Sequence, residues 1–364
     1  MLPSRLAAGA SCTTASKEVA TAAPWEQRSL ELPKTWQSGS GAGVKVAVVD
    51  TGVSQKAQAL AGRVTAVGGA NAGQDCVGHG SFVAGLVAAA TVKGVHFAGV
   101  AKRADILAVK GTDERGAATA ATVAKGIRAA ADAGAQIIEV SPALASRSTT
   151  LTTAVSYAAG HDALIVAAAV PDATEVTRSS ATAPRAYWPA AQPGVLSVVA
   201  VDAKGQRPQG TPLPRHADLA APGAGVIGIG PRGTGHFIGS GASLAAGYVA
   251  GTAALVRAAN PELTAVETAK RLTATAYPAD VPRLDPYAAL TSVPDATAQR
   301  EAPAEEPVRL PKQHADAQAT RRALLLAGGC GALILLVAWA AVIAPRGRAR
   351  GWRAAAQEGP AEIR

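Results

Sequence analysis

The chain has 364 residues, of which 48% are hydrophobic, and it carries a formal net charge of +9. The charge is spread along the sequence, with no basic helix interleaved with aromatic residues, so it does not indicate a nucleic-acid partner. The high apolar content indicates instead that part of the chain contacts lipid.

Residues 1–40 form an N-terminal arm that ends in the glycine-rich stretch Gly39–Gly43. Its first ten residues, Met1–Ala10, contain no apolar run long enough for the core of a signal peptide. Features further along the chain require export. We therefore predict that translation starts upstream and that the signal peptide is truncated here, which a longer in-frame reading of the gene would support.

Between residues 41 and 290, apolar runs of strand length alternate with alanine-rich stretches of helical length. Continuous apolar runs are typical of strands in a parallel sheet that is covered by helices on both faces. The alternation therefore predicts one α/β domain with a mainly parallel sheet. The predicted strands are Val44–Val49, Ile106–Val109, Ile137–Val140, Ala163–Ala168 and Val195–Val201, and the predicted helices are Phe82–Thr91, Ala117–Ala133, Ser243–Ala258 and Leu263–Ala274.

A change of composition after Leu290 predicts a linker, a membrane span and a tail. Residues 291–320 contain four prolines among polar residues, which is typical of an extended spacer. Residues 323–344 carry no charge and as a helix would reach about 33 Å, enough to cross the hydrocarbon core. A buried core helix is the alternative, but it is usually shorter, and this stretch is apolar on every face. Residues 345–364 form the tail.

The basic residues beside the span predict its orientation. Four arginines follow it, whereas Arg321 and Arg322 precede it. The side with more basic residues normally stays in the cytoplasm. We therefore expect a single-pass protein of the cell membrane with a cytoplasmic C-terminus and an extracytoplasmic domain at 41–290.

The cysteines agree with an exported domain. Cys330 lies in the predicted span, which leaves Cys12 and Cys76 for the outer domain. In an oxidising compartment two such residues usually form a disulfide, and closing a loop of this length stabilises a fold by roughly 4 kcal/mol. The alternative is two free thiols, which non-reducing peptide mapping would distinguish.

Three short motifs carry an aspartate, a histidine and a serine in that order. Asp50 ends the apolar run before Thr51-Gly52, and the carboxyl ends of strands are where α/β folds place functional groups. His79 lies between two glycines, which leave its imidazole accessible. Ser243 precedes an alanine-rich helix, whose N-terminal N–H groups favour a developing oxyanion.

Each motif alone has an ordinary structural explanation, since an aspartate can end a strand in a turn and a serine can cap a helix. Together they predict a catalytic triad. Ser243 would act as the nucleophile, His79 as general base and then acid, and Asp50 as the group that orients His79.

With these motifs, residues 40–290 resemble the subtilisin family (S8) of serine proteases, which has the same order of triad residues. A narrower resemblance, over nearly the whole chain, is to the mycosins, the membrane-anchored subtilisin-like proteases of actinobacterial type VII secretion systems. It rests on Pro24–Gln27, Asp75–Gly80, Tyr187–Ala190, Asp285–Leu290, the proline-rich linker and the single C-terminal helix.

The resemblance to mycosins implies a subtilisin-like three-layer fold plus one C-terminal transmembrane helix. It also implies an arm that wraps the protease domain without inhibiting it, and a disulfide between Cys12 and Cys76. The implied partners are a peptide or protein substrate and the type VII secretion membrane complex, with no nucleic acid. No cofactor and no catalytic metal are expected.

The chain departs from the subtilisin pattern in the groups that surround the triad. Pro171 stands at the oxyanion-hole position, where the family has an asparagine whose amide donates to the oxyanion. The family's substrate-cleft segment Ser-Leu-Gly is replaced by Ser141, Pro142 and Ala143. Loss of one such donor lowers kcat about 10²–10³-fold, a cost known from the same family.

These features predict a membrane-anchored serine endopeptidase of type VII secretion with weakened activity. The alternative is a catalytically impaired pseudoprotease that acts as a structural component of the secretion complex. A binding module unrelated to proteolysis would require the match to all three triad motifs to be accidental.

Overall fold

The computed structural model describes residues 1–172, 183–293 and 317–351. Residues 294–316 of the predicted linker and 352–364 of the predicted tail lie outside the described residues. The chain divides into two compact units, Met1–Val293 and Pro294–Arg364.

A seven-stranded sheet forms the centre of the first unit. Its strands are β1 Lys45–Asp50, β2 Val64–Val67, β3 Asp105–Lys110, β4 Ile137–Val140, β5 Leu164–Ala168, β6 Val195–Val201 and β7 Leu219–Pro222. They lie in the order β2-β3-β1-β4-β5-β6-β7, and every neighbouring pair is parallel. The predicted α/β class with a mainly parallel sheet is thus confirmed.

Helices pack on both faces of this sheet. Those of the first unit are α1 Trp25–Ser29, α2 Leu32–Thr35, α3 His79–Ala88, α4 Ala120–Asp132, α5 Thr149–Gly160, α6 Ala242–Ala259, α7 Ala265–Ala274 and α8 Pro286–Thr291. Alternate side chains of β1 enter two separate hydrophobic clusters: Val46 and Val48 pack with α3 and α6, and Ala47 and Val49 with α4 and α5. This period-two alternation gives the three-layer architecture.

The antiparallel hairpin β8 Ala224–Ile229 and β9 His236–Ser240 leads directly into α6. The apolar runs of the sequence do not predict this hairpin, because glycines interrupt both of its strands and β9 also contains polar residues. The apolar runs also miss β2, β7 and α5; α5 begins with threonine-rich sequence of low helix propensity.

The N-terminal arm is attached to the rest of the first unit along its length. A disulfide joins Cys12 to Cys76, so the alternative of two free thiols is wrong for this structure. Beside it, the backbone N–H of Thr13 donates to the carbonyl of Cys76 over 2.8 Å. Further along the arm, Gln27 Nε2 donates to the carbonyl of Ala98.

Glu26, on α1, is fully buried, and its Oε1 accepts a hydrogen bond from the backbone N–H of Ile227 over 2.8 Å. Burial raises the pKa of this carboxyl from 4.5 to about 7, although the Ile227 hydrogen bond acts in the opposite direction. Between these two values the folded state binds more protons at Glu26 than the unfolded state does. Its contribution to the free energy of unfolding therefore falls as the pH rises, by about 3 kcal/mol in total.

We expect Glu26→Gln to remove this pH dependence, because the amide keeps the acceptor for Ile227 and carries no charge. Urea unfolding at pH 5 and pH 8 measures the effect. The difference in unfolding free energy between the two pH values should be smaller in the variant, and the variant should be the more stable protein at pH 8. An equal pH dependence in both proteins would contradict the prediction.

The second unit contains helix α9, Ala317–Ala349, which includes the predicted span 323–344. Two helices among the described residues are long and apolar enough to cross a membrane, α6 and α9. α6 is 89% buried inside the first unit, whereas the most apolar 18-residue stretch within Arg321–Ala349 of α9 has a mean hydropathy of 2.3 and is not buried. Of the two, α9 is therefore the candidate membrane span.

Candidate active site

The three predicted triad residues meet at the carboxyl edge of the parallel sheet. Asp50 is the last residue of β1, His79 is the first residue of α3, and Ser243 lies in the first turn of α6. Gly78 precedes His79 with a φ of 94°, a left-handed conformation that favours glycine and lets the chain turn sharply into α3.

The side chains form one hydrogen-bonded chain. Asp50 Oδ2 lies 2.7 Å from His79 Nδ1, and His79 Nε2 lies 3.1 Å from Ser243 Oγ. Asp50 Oδ1 also accepts the backbone N–H of Thr51, which fixes the carboxylate. All three groups are within the distances that proton transfer from serine to histidine needs.

A fourth charged residue, Asp172, lies at the nucleophile. Its Oδ2 accepts the Ser243 hydroxyl over 2.6 Å and lies 3.1 Å from His79 Nε2. Its Oδ1 accepts the backbone N–H of Ser243 over 3.2 Å. The resemblance to the subtilisin pattern places Pro171 at the position of the family's asparagine, and in the structure the next residue, Asp172, brings its side chain to the serine.

The charges around His79 set its protonation. Burial disfavours the imidazolium, but the charges of Asp50 and Asp172 and their hydrogen bonds outweigh it and raise the pKa of His79 well above its ordinary value. Burial likewise disfavours the Asp50 carboxylate, yet the charge and hydrogen bond of His79 lower the pKa of Asp50. The resting site therefore favours an ion pair between Asp50 and a protonated His79.

Asp75 fixes the two segments that carry Asp50 and His79. One carboxylate oxygen accepts the hydroxyl of Thr51 over 2.9 Å and the N–H of Gly78 over 2.7 Å. The other accepts the N–H and the hydroxyl of Ser81, each over 2.8 Å. Asp75 belongs to a motif that supports the mycosin resemblance, but its positioning role was not predicted from the sequence.

Glu139 is a second buried carboxyl in the layer behind the triad. Ser141 Oγ donates to its two oxygens over 3.0 and 3.1 Å. Burial raises the pKa of Glu139 well above its ordinary value, and the charge of Asp50 raises it further. Both effects favour the uncharged form of Glu139.

The predicted cleft residues lie beside the triad. Ser141, Pro142 and Ala143 line the same cleft as Asp50, His79, Pro171 and Asp172. Ser4 and Arg5 of the arm also line this cleft, and Leu2–Arg5 line a neighbouring cavity that includes His79 and Asp172. The arm is held there by hydrogen bonds from Leu2 N to the carbonyl of Ile238 and from Leu6 N to the carbonyl of Arg115. The first residues of the arm therefore lie beside the triad.

The sequence from Val170 to Ser180 contains no asparagine or glutamine that could replace the missing donor, and residues 173–180 lie outside the described residues. Within the described part of the site, the backbone N–H of Ser243 is positioned to donate to an oxyanion. In this structure it donates to Asp172 Oδ1 instead.

Comparisons with known proteins agree with this geometry. The model of the subtilase family, peptidase S8, matches residues 41–309. Mycosin-4 from Mycobacterium tuberculosis is 33% identical over an alignment of 392 positions, which covers 93% of this chain and 85% of that protein.

Two solved structures are similar in both fold and sequence. The crystal structure of MycP1 from the ESX-1 type VII secretion system has a TM-score of 0.68 and 27% identity, over 79% of this chain and 91% of that one. A chain in the structure of the periplasmic assembly from the ESX-5 inner membrane complex has a TM-score of 0.64 and 28% identity, over 83% of this chain and 92% of that one. Together with the family match, these similarities place the chain in the subtilase family of serine proteases, among its mycosin-type members.

Proposed function

We propose that this protein is a membrane-anchored, extracytoplasmic serine endopeptidase associated with type VII secretion. The observation that carries the proposal is the hydrogen-bonded chain from Asp50 through His79 to Ser243. Its association with secretion is supported by the similarity to mycosin-4 and to a chain of the ESX-5 periplasmic assembly.

In this proposal Ser243 Oγ attacks the carbonyl carbon of a peptide bond while His79 Nε2 takes the hydroxyl proton. Asp50 holds His79 through Nδ1 and stabilises the imidazolium that forms. His79 then donates the proton to the leaving amine, which departs and leaves an acyl-enzyme. Water, deprotonated by His79, releases the acyl group as a carboxylate and restores Ser243.

Helix α9 supports the anchoring part of the proposal, because it is long and apolar and carries Arg346 and Arg348 in its last turn. This would leave the protease domain on the outer side of the cell membrane and the C-terminus in the cytoplasm. Labelling of an engineered cysteine in the protease domain of intact cells by a membrane-impermeant maleimide tests the orientation.

Reaction with a fluorophosphonate tests the peptidase assignment. The purified full-length protein in detergent should form a covalent adduct at Ser243, as the hydroxyl attacks phosphorus and fluoride leaves, and Ser243→Ala should form none. Peptide mapping locates the adduct. Ser156→Ala, at an exposed serine of α5, is a matched control that should still be labelled at Ser243. No Ser243-dependent adduct between pH 6 and pH 9 would sink the assignment.

A second candidate function is a structural component of the secretion complex with little or no proteolysis. It is favoured by the carboxylate of Asp172 at the nucleophile, where the family's asparagine would place a donor. Secretion in the source organism distinguishes the two. The structural role predicts that secretion survives Ser243→Ala and is lost when the protease domain or α9 is deleted.

A further inference from the structure

The carboxylate of Asp172 occupies the space that a reacting carbonyl needs. Ser243 is fully buried, and the Asp172 side chain that covers it is itself only 9% exposed. The carboxylate packs directly against Gly241, where a Cβ atom would stand 2.1 Å from Oδ1. The missing side chain at Gly241 thus leaves the room in which Asp172 reaches the serine.

The contacts of this carboxylate are those of a peptidase product. Hydrolysis of a peptide bond leaves a carboxylate with one oxygen at the oxyanion N–H and the other between the serine and the histidine. Asp172 places Oδ1 at the N–H of Ser243 and Oδ2 between Ser243 Oγ and His79 Nε2. We propose that Asp172 is an intramolecular product mimic that holds the triad in a resting state, and that a substrate must displace it.

This arrangement opposes catalysis in three ways, two through hydrogen bonds and one through charge. The Ser243 hydroxyl donates to Asp172 over 2.6 Å, so its proton is directed away from His79. The Ser243 N–H is occupied, so it is not free to bind an oxyanion. A carboxylate beside a developing oxyanion also repels it, because charge interactions are strong in a site from which water is excluded.

The inference rests on the proposed function, because it assumes that the triad can react once Asp172 moves away. It goes beyond the loss of the family's asparagine, since a missing donor only slows the reaction, whereas an inhibitory carboxylate can be removed by substitution. Substituting Asp172 should therefore make the protein faster, not slower.

Asp172→Asn tests the proposal directly, because the amide keeps the size, removes the charge and can donate to an oxyanion. We expect the second-order rate of fluorophosphonate labelling at Ser243 to rise at least about 10²-fold, the contribution of one oxyanion donor. Asp172→Ala should give a smaller rise, because it removes the carboxylate without supplying a donor. The exposed Asp280→Asn, with the same change of charge, should leave the rate unchanged.

The pH dependence of fluorophosphonate labelling provides a second test of the proposal. The titratable and charged groups around His79 are Asp50, Glu139, Asp75, Asp172 and, from the arm, Arg5. Since the charge of Asp172 raises the pKa of His79, its removal should let His79 lose its proton at lower pH. The pH at which labelling reaches half of its maximum should therefore fall in Asp172→Asn and stay constant in Asp280→Asn.

Binding of a peptide boronic acid, measured by calorimetry, separates this proposal from the peptidase assignment. The boronate forms a tetrahedral adduct with Ser243 and needs no turnover, so tighter binding to Asp172→Asn than to the natural chain would support the product mimic even if no peptide were cleaved. Equal labelling rates and equal boronate affinities in the two proteins would overturn it while leaving the peptidase assignment intact. A labelling rate that falls in Asp172→Asn would also overturn it, because Asp172 would then be assisting the reaction. Thermal melting of each variant checks that it is folded.

Discussion

Replacing Asp50 by asparagine is expected to lower kcat for peptide hydrolysis about 10⁴-fold, the cost of the equivalent change in other serine proteases. Asp50 Oδ2 accepts the Nδ1 proton of His79 over 2.7 Å, which leaves Nε2 free to take the proton of Ser243. An amide NH₂ group in place of that oxygen would favour the tautomer with its proton on Nε2. His79 would then present a donor to the serine and could not act as its base.

The measurement is kcat for a peptide substrate, with and without Asp50→Asn, in the natural chain and in the Asp172→Asn variant. The faster reaction expected of the Asp172→Asn variant widens the range over which a loss can be measured. Asparagine keeps the oxygen that accepts the N–H of Thr51, so the fold should survive the change, and thermal melting checks this. Asp105→Asn is a matched control, because Asp105 is exposed at the amino end of β3. A loss smaller than tenfold in a folded Asp50→Asn protein would show that Asp50 does not perform the role assigned to it.

The central sheet could be predicted because its strands are buried on both faces. Such strands need continuous apolar sequence, and five of the seven were predicted to within one or two residues. The hairpin β8–β9 is half exposed and rich in glycine, so its short strands carry no comparable pattern. The same reasoning explains α5, where threonines on the exposed side conceal a buried face of Leu151, Ala154, Val155 and Ala158.

The triad could be predicted because each of its residues lies in a short motif of local origin. Asp50 ends a strand, His79 starts a helix between glycines, and Ser243 starts another, so each can be read from its immediate neighbours. Asp172 has no such motif. Its role depends on how the chain leaves β5 and meets α6, residues that are far apart in sequence.

Asp172 also does not fit the pattern of an oxyanion donor, because a carboxylate accepts hydrogen bonds and has none to donate. The feature of the sequence that indicates the role of Asp172 is the presence of an acidic residue directly after the position of the missing asparagine. An acidic group there changes the sign of the local charge, whereas Pro171 only removes a donor.

Replacing Asp75 by alanine is expected to lower the free energy of unfolding by a large amount. This side chain is 5% exposed and accepts four hydrogen bonds, from Thr51, Gly78 and both donors of Ser81. It also places a negative charge at the N-terminus of α3, which the helix dipole favours. Asp75→Ala would leave several buried donors without a partner, so we expect the free energy of unfolding to fall by about 3–5 kcal/mol.

Asp75→Asn separates the hydrogen bonds of the two oxygens. The amide oxygen can still accept from Thr51 and Gly78, but the NH₂ group would face the N–H of Ser81, so the expected loss lies between those of the natural chain and Asp75→Ala. Urea unfolding of the three proteins measures the order of their stabilities.

Because Thr51 follows Asp50 and Gly78 precedes His79, the folded fraction of Asp75→Ala should also react more slowly with fluorophosphonate. A variant that loses less than about 1 kcal/mol and reacts at the natural rate would show that the disulfide and the packing of α3 hold the triad without Asp75.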